Sequence, residues 1–195
     1  MCQREVRMDL SLADMRELLM LARASIECVL NDSPMKRAQH LDKSLREPAG
    51  AFVTLHLRGE LRGCIGYIEP RFPLHETIEE AAQKAAFEDP RFLPLSSEEF
   101  NDVEIEISVL SPLRKISDIS EIEVGTHGLV VDAGYTRGLL LPQVATEYGW
   151  GRDQFLSHTC RKAGLPADAW KKKDVTISIF SSRVFSEADL LAKPK

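Results

Sequence analysis

Two stretches of the chain repeat apolar residues at helical spacing. Within residues 11–30, apolar side chains recur at steps of three and four, the period of one helix face. Ser11 can cap this helix, because Asp14 stands at the capping-box position and residues 31–34 interrupt the pattern. An alanine-rich apolar face predicts a second helix over about residues 74–88.

Alternation of apolar and polar residues predicts strands elsewhere. The clearest example is residues 103–110, where every second side chain is apolar. Similar alternation predicts strands over residues 51–58 and 61–68. A turn at Gly59-Glu60 would join these two strands into a hairpin.

The C-terminal half contains a second set of elements. The pattern predicts a hairpin from residues 128–132 and 139–141, followed by a short helix from Pro142 to about Tyr148. It also predicts a helix over residues 153–163 and a last strand over residues 175–180.

The order of these elements favours the α+β class. Hairpins outnumber strand–helix–strand units, which indicates a mixed, largely antiparallel sheet with flanking helices. Residues 35–48 are predicted to form an exposed crossing loop without regular structure. Each half holds a hairpin, helical material and a returning strand, so an internal duplication is a further hypothesis, although no sequence period supports it.

Composition limits the class of protein more than its function. The 195 residues suit one domain or two packed lobes, and the net charge of -5 argues against a general nucleic-acid surface. No stretch has the length of a membrane span, and residues 1–8 do not resemble a secretory leader. Cys2, Cys28, Cys64 and Cys160 form no C-x-x-C pair, which predicts reduced thiols in a cytoplasmic protein without a metal or another cofactor.

The segment Leu61-Arg62-Gly63-Cys64-Ile65-Gly66 (LRGCIG) resembles the signature of the AMMECR family. That family is named after a human chromosomal region linked to Alport syndrome, midface hypoplasia and elliptocytosis. Further blocks follow in the family's order: residues 50–55, 85–92, 105–112, 125–130, 138–145, 155–156 and 162–166, with Cys160 and Trp170. The resemblance extends over about residues 12–185, so residues 1–195 are interpreted as a single AMMECR-like domain.

The resemblance implies several expectations that the residue pattern alone does not give. It implies a barrel-like sheet with structural duplication, arranged as two unequal lobes, and it places the LRGCIG strand near the groove between them. Similar prokaryotic proteins often occur with a Memo-like protein and a radical-SAM protein, in what is called the AmmeMemoRadiSam system. The family supplies no catalytic residue to transfer to this chain.

Within the LRGCIG segment, Cys64 is the candidate nucleophile. Arg62 lies two residues away on the same strand face, where its charge could favour a thiolate. The alternative is that Cys64 is a small buried apolar residue between glycines. Gly63 and Gly66 weaken a strand, so either another chain segment or a ligand is expected to approach the backbone there.

Two further segments could carry chemistry. His127, in a loop beside Gly128, could act as an acid–base group, or it could only make a hydrogen bond within a turn. The histidines have no metal-ligand spacing. Lys171-Lys172-Lys173 beside Trp170 could touch RNA or an acidic partner, or could form a solvated turn.

The sequence leaves two classes of function open and does not decide whether the protein is an enzyme. The first is an accessory protein that binds a partner, such as a Memo-like or radical-SAM protein. The second is an enzyme or small-ligand-binding protein that uses the groove at Arg62, Gly63, Cys64 and Gly66, with His127. The first leads, because no complete set of nucleophile, base and orienting group is visible in the sequence.

Overall fold

The computed structural model describes residues 10–35 and 41–191. The chain folds into two compact units, of which the second is Ser111–Ser182 and the first comprises the residues before and after it. Cys2, His40 and most of the N-terminal segment lie outside the described residues, as do residues 36–40 of the predicted crossing loop.

The first unit contains helices on one side of a four-stranded sheet. Its elements are α1 (Leu12–Leu30), α2 (Lys43–Arg46), β1 (Ala51–Leu57), β2 (Glu60–Tyr67), α3 (Leu74–Phe87), α4 (Ser97–Phe100), β3 (Val103–Leu110), β8 (Ser182–Ser186) and α7 (Glu187–Leu190). The strand order is β2-β1-β3-β8, with β1 antiparallel to both of its neighbours. The sheet therefore ends on β2 at one edge and on β8 at the other.

The second unit has a four-stranded sheet of its own. Its elements are β4 (Arg114–Lys115), β5 (Gly128–Asp132), β6 (Arg137–Leu140), α5 (Pro142–Glu147), α6 (Arg152–Lys162) and β7 (Thr176–Phe180), with 3₁₀ turns at Ile119–Glu121 and Ala169–Lys171. The strand order is β4-β7-β5-β6, and all three pairings are antiparallel. The α+β prediction is confirmed. The described strands form two sheets rather than one barrel-like sheet, and neither closes.

Each unit has a separate hydrophobic core. In the first, α1 and α3 pack on the sheet, and Val103, Ile105, Ile107 and Val109 of β3 are all buried, as their alternation predicts. In the second, Phe155 and Leu156 of α6 are fully buried, together with apolar residues of β5 and β7. None of the described helices combines the length and apolarity that crossing a bilayer requires.

The caps of α1 and α6 follow the sequence. Ser11 accepts a hydrogen bond from the Asp14 backbone, and the Asp14 carboxylate accepts one from the Ser11 backbone, so the predicted capping box is present. Gly164 ends α6 with φ +73°, a conformation that glycine adopts without steric cost.

Two sequence predictions about irregular segments are wrong. The short helix α2 interrupts the predicted crossing loop, because the fully buried side chain of Leu45 fixes one turn against the first core. Residues 175–180 were expected to contain the last strand, but β8 and α7 follow. Both later elements expose several of their side chains, so neither has the apolar pattern of a core element.

Candidate functional site

The LRGCIG segment, residues 61–66, lies on β2 at the edge of the first sheet. At Gly63, any added Cβ would collide with the backbone carbonyl oxygen of Ala85 in α3. At Gly66, it would collide with the carbonyl oxygen of Ala51. Another segment therefore approaches both glycines: the Ala85 backbone at Gly63, and the Ala51 backbone with the Phe52 ring of the neighbouring strand at Gly66.

A bulge sets which side chains of β2 face outward. Leu61 is opposite His56 and Gly63 is opposite Leu55, so Arg62 has no partner on β1. Because successive side chains alternate between faces, this one-residue shift puts Gly63 on the core face of the sheet. The bulge thus permits the close contact with α3.

The same shift puts Cys64 on the face opposite the core. Cys64 pairs with Thr54 of β1, and Thr54 pairs with Glu106 of β3, so the three form a row across the sheet. Their neighbours Val53 and Leu55 on β1 point to the other face and are fully buried. The row is half-buried on its own face.

Arg62 makes an ion pair within the first unit. Its Nε and Nη2 atoms donate to the two carboxylate oxygens of Glu99, each at 3.0 Å, and Nη2 also donates to the Leu93 carbonyl at 3.0 Å. These hydrogen bonds from Arg62 lower the pKa of Glu99 to about 2. Only 12% of the Arg62 side chain is exposed, so its guanidinium ties β2 to the segment after α3.

The polar backbone groups of Cys64 are occupied by the loop after α3. Its N–H donates to Asp89 Oδ2 at 2.9 Å, and its carbonyl accepts from Arg91 Nη2 at 3.3 Å. Asp89 and Arg91 therefore satisfy the outward-facing groups that an edge strand would otherwise present to another chain.

Asp89 is the most enclosed charge of this region, with 2% of its side chain exposed. It binds Arg91 through two oxygens, at 2.9 Å to Nε and 2.6 Å to Nη2. The Arg91 guanidinium, together with the Cys64 and Arg91 backbone N–H groups, holds the pKa of Asp89 well below its usual range. Asp89 is thus a fixed anion at the edge of β2.

The Cys64 thiol has one hydrogen-bond partner, the Thr54 hydroxyl, whose oxygen lies 3.4 Å from the sulfur. Among the described residues, no imidazole or carboxylate hydrogen-bonds to the thiol. A threonine hydroxyl does not accept a proton from a thiol at neutral pH, so Thr54 cannot act as a general base. Cys64 is nevertheless half-exposed rather than buried.

Comparison with known proteins decides the family. The AMMECR1 family model matches residues 19–185, which include both compact units and the LRGCIG segment. The chain belongs to the AMMECR1 family. A protein from Methanothermobacter thermautotrophicus is 44% identical over 179 residues, covering 88% of this chain and 93% of that protein. One from Aquifex aeolicus is 41% identical over 183 residues, covering 90% of this chain and 94% of that protein.

A solved structure supports the fold. The chain is similar to the crystal structure of the uncharacterized protein PH0010 from Pyrococcus horikoshii, with a TM-score of 0.84 and 38% sequence identity. The alignment covers 92% of this chain and 94% of that one.

His127, the second candidate residue, lies in the second unit directly before β5. Its side chain is buried, with 6% of the residue exposed, and Nδ1 accepts a hydrogen bond from the Glu123 backbone at 3.1 Å. The proton of a neutral His127 ring is therefore on Nε2. This contact lies within the segment that leads into β5.

The structure adds four residues to the site that sequence reasoning did not select: Thr54, Asp89, Arg91 and Glu99. Asp89 and Arg91 belong to the Asp89-Pro90-Arg91 sequence that follows α3. Its short acid–base spacing was the available indication of a local ion pair. Nothing in the sequence indicates that Glu99 pairs with Arg62, 37 residues earlier.

No group of three or more histidine, cysteine, aspartate or glutamate side chains within residues 10–35 and 41–191 is arranged to hold a metal ion. The arrangement around Cys64 can fix an edge strand and present a half-exposed thiol beside the partly exposed Arg91 guanidinium, whose charge is balanced by Asp89.

Proposed function

We propose that this AMMECR1-family protein is an accessory component that binds a partner and acts with Memo-like and radical-SAM proteins. The docking surface would be the surface formed by Leu61, Leu93 and Arg91, here termed the leucine surface. Leu61 is 41% exposed and Leu93 is 83% exposed, although both are large and apolar. This exposure is the observation that carries the proposal, because exposed apolar residues grouped together are typical of protein contacts.

The hydrogen bonds of Arg62 support the grouping of these side chains. Arg62 follows Leu61 directly and donates to the Leu93 carbonyl, so the two leucines belong to neighbouring segments that are held together. Arg91, whose side chain is 53% exposed, is fixed nearby through Asp89 and the Cys64 carbonyl. A rigid apolar surface with an adjacent guanidinium suits a partner that presents apolar and acidic side chains.

The occupied polar groups of the LRGCIG segment also favour a structural role for that segment. Arg62 is paired with Glu99, and the backbone groups of Cys64 are paired with Asp89 and Arg91. The LRGCIG residues would then hold the leucine surface in place, and the partner would contact the leucines.

The family match spans both compact units. Residues 1–195 would therefore work as one AMMECR domain. The described cysteines Cys28, Cys64 and Cys160 are free thiols, in keeping with a reducing cytoplasmic location.

The test is binding to the Memo-like and radical-SAM proteins of the same host. We expect isothermal titration calorimetry to detect binding of the wild-type chain to at least one of them. The double change Leu61→Glu with Leu93→Glu should weaken that binding by about a hundredfold, since it puts two charges into an apolar contact.

The matched control is Tyr135→Glu, which changes a residue that is 84% exposed in the second unit. It should bind like the wild type, and both variants should keep the wild-type melting temperature. Wild-type protein that binds neither partner would refute the accessory role. Full binding by the leucine variant would place the contact elsewhere on the molecule.

A second proposed function is an enzyme or a small-ligand-binding protein that uses Arg62, Gly63, Cys64 and Gly66, with His127. The observation that favours it is the half-exposed Cys64 thiol, because an unreactive structural cysteine is usually buried. Arg91 Nη2 donates to the Cys64 carbonyl at 3.3 Å, so a polar side chain stands beside the residue that carries the thiol.

The change Cys64→Ser separates this second function from the first. If Cys64 only packs, the variant should lose about 1 kcal/mol of stability and keep partner binding. If Cys64 is a functional thiol, the variant should melt normally but lose the rapid labelling by a thiol probe. The same change at Cys28, which is also half-buried, controls for labelling of an ordinary thiol.

A further inference from the structure

A cavity of about 380 Å³ lies in the second unit, beside the short edge strand β4. β4 pairs with β7 only at Ile179 and Ser178, and the Ile116 N–H then donates to the Ile177 carbonyl at 3.0 Å. Beyond that bond, Val175, just before β7, and Thr176, its first residue, line the cavity on the side of β4, with which neither pairs. The cavity thus begins where β4 stops covering β7.

The floor of the cavity is apolar and includes an aromatic ring. Ile116 and Ile177 line it and are 7% and 8% exposed. Trp170 also lines it and is half-buried against the second core. The Lys171 ammonium lies 5.0 Å from the centre of the Trp170 ring, so a planar ligand ring would pack on the aliphatic side chains and take the place of Lys171 on the indole.

The rim of the cavity carries three lysines: Lys115, Lys172 and Lys173. All three are exposed, and within the described part of the chain none of their ammonium groups pairs with a carboxylate. The chain as a whole has a net charge of -5, so the charge of this group of unpaired lysines is opposite in sign to that of the whole chain.

Asp118 is the acidic residue at the cavity. Its Oδ1 accepts a hydrogen bond from the Ser120 backbone at 2.7 Å, within the 3₁₀ turn. That bond lowers the pKa of Asp118, so the carboxylate stays negative. Its negative charge offsets the charge of one of the three lysines. The rim keeps an excess of positive charge.

We infer that this cavity binds a small anion with a planar heteroaromatic ring, of the size of a mononucleotide. The ring would pack on Trp170 and the isoleucines, and the phosphate would contact the lysines. The volume lies near the lower end of the range of about 300–1,000 Å³ that small-ligand pockets occupy. A phosphate among three ammonium groups gains charge-assisted contacts, and a base on an indole gains stacking energy.

This site is separate from the leucine surface and from Cys64, because all of its lining residues belong to the second unit. If the chain did not bind the anion, the proposed accessory role would be unaffected. If the chain bound no protein partner, it could still bind the anion.

The experiment is a fluorescence titration with adenosine monophosphate. The chain has two tryptophans, so Trp150→Phe leaves Trp170 as the reporter. We expect saturable quenching of Trp170, weakened at least about tenfold for adenosine alone and for inorganic phosphate alone. Calorimetry on the unaltered chain should give the same affinity.

The decisive variant is the triple change Lys115→Gln, Lys172→Gln and Lys173→Gln. It should weaken binding of adenosine monophosphate by at least about tenfold, because each lost ammonium removes a charge-assisted contact. The control is Lys162→Gln, which removes an exposed lysine of α6 outside the cavity and should leave the affinity unchanged.

Three results would overturn the proposal. They are the absence of binding up to millimolar adenosine monophosphate, equal binding of inorganic phosphate and the nucleotide, or equal affinities of the triple variant and the Lys162→Gln control.

Discussion

At the scale of single residues, Asp89 connects the edge strand β2 to the loop after α3. It accepts a hydrogen bond from the Cys64 backbone and holds the Arg91 side chain, while almost none of its own side chain is exposed. Because a buried carboxylate without its partners is costly, the loop and β2 are stabilised by the same contact.

This contact predicts how stability depends on pH. The pKa of Asp89 is lower in the folded chain than the unfolded value of about 3.9, and that of Glu99 is about 2 against an unfolded value of about 4.3. Their stabilisation is fully present above the unfolded values and is lost as the pH falls below them. Urea unfolding should therefore show the free energy of unfolding falling steeply below about pH 4.

The change Asp89→Asn should lower the free energy of unfolding by about 1.5–3 kcal/mol at pH 7. The difference from the wild type should shrink as the pH falls towards 2, since Asp89 of the unfolded wild-type chain then binds a proton that the folded chain does not. Asp102→Asn is the control, because the carboxylate of Asp102 is exposed and lies 3.9 Å from Arg58. A constant Asp89→Asn difference across this range would contradict the assignment.

Gly63 provides a second prediction at this scale. Replacing it with alanine would force a methyl group against the Ala85 carbonyl of α3, which belongs to rigid helical backbone. We expect Gly63→Ala to lower the free energy of unfolding by about 1–3 kcal/mol in urea melts. A loss below about 0.5 kcal/mol would mean that α3 and β2 are farther apart than described.

The orientation of the candidate residues could not be predicted from alternation alone. Arg62 and Cys64 were expected to share a strand face. The residues of β1 that stand opposite this part of β2 depend, however, on the bulge at Arg62. Without the bulge, Arg62 rather than Gly63 would stand opposite buried Leu55. A bulge arises from packing against α3 and β1, which a local residue pattern does not record.

At the scale of elements, α6 is the clearest test of the second core. Phe155, Leu156 and Cys160 are buried while Arg161 and Lys162 are exposed, as their spacing predicts. Phe155→Ala should lower the free energy of unfolding by about 3–5 kcal/mol, because it leaves a cavity at a fully buried site. A loss below about 1 kcal/mol in denaturant melts would contradict this packing.

The turn between β1 and β2 predicts a substitution that stabilises the fold. Arg58 and Gly59 both have positive φ angles, +55° and +83°, as the tight turn of a two-residue hairpin requires. Arginine is strained in that region, whereas asparagine tolerates it. Arg58→Asn should therefore raise the free energy of unfolding by about 0.5–1 kcal/mol, and an unchanged or lower value would contradict the strain.

Long elements with a clear period were predictable, and short elements stabilised by distant contacts were not. α1, α3 and β3 follow their patterns within about one residue of the expected bounds. The pattern missed α2, which is four residues long, because only its Leu45 is buried. It also missed β8, since that strand reaches its partner β3 only after the whole second unit.

At the scale of the whole molecule, the second unit is an insertion within the first. The chain leaves the first sheet at Leu110 and returns to it at Arg183. The two ends of the insertion are adjacent, since the Ser111 N–H donates to the Ser181 carbonyl at 2.8 Å. Each unit has a core cluster of buried apolar residues.

This connectivity predicts that the first unit tolerates removal of the second. Replacing Ser111–Ser182 with a short Gly/Ser linker should leave a chain whose far-UV circular dichroism retains helices and strands and which unfolds cooperatively. Amide exchange should protect β1 and β3. A non-cooperative melt or unprotected β3 amides would show that the insertion is required for folding.

The return of β8 to β3 also determines when the first sheet can be completed during translation. The ribosome makes β3 about 70 residues before it makes β8. During that interval the outer side of β3 has no neighbouring strand, although every strand of the second sheet emerges before β8 is complete. Throughout that interval the nascent chain is open to strand-to-strand association at β3, where a bound chaperone would protect it.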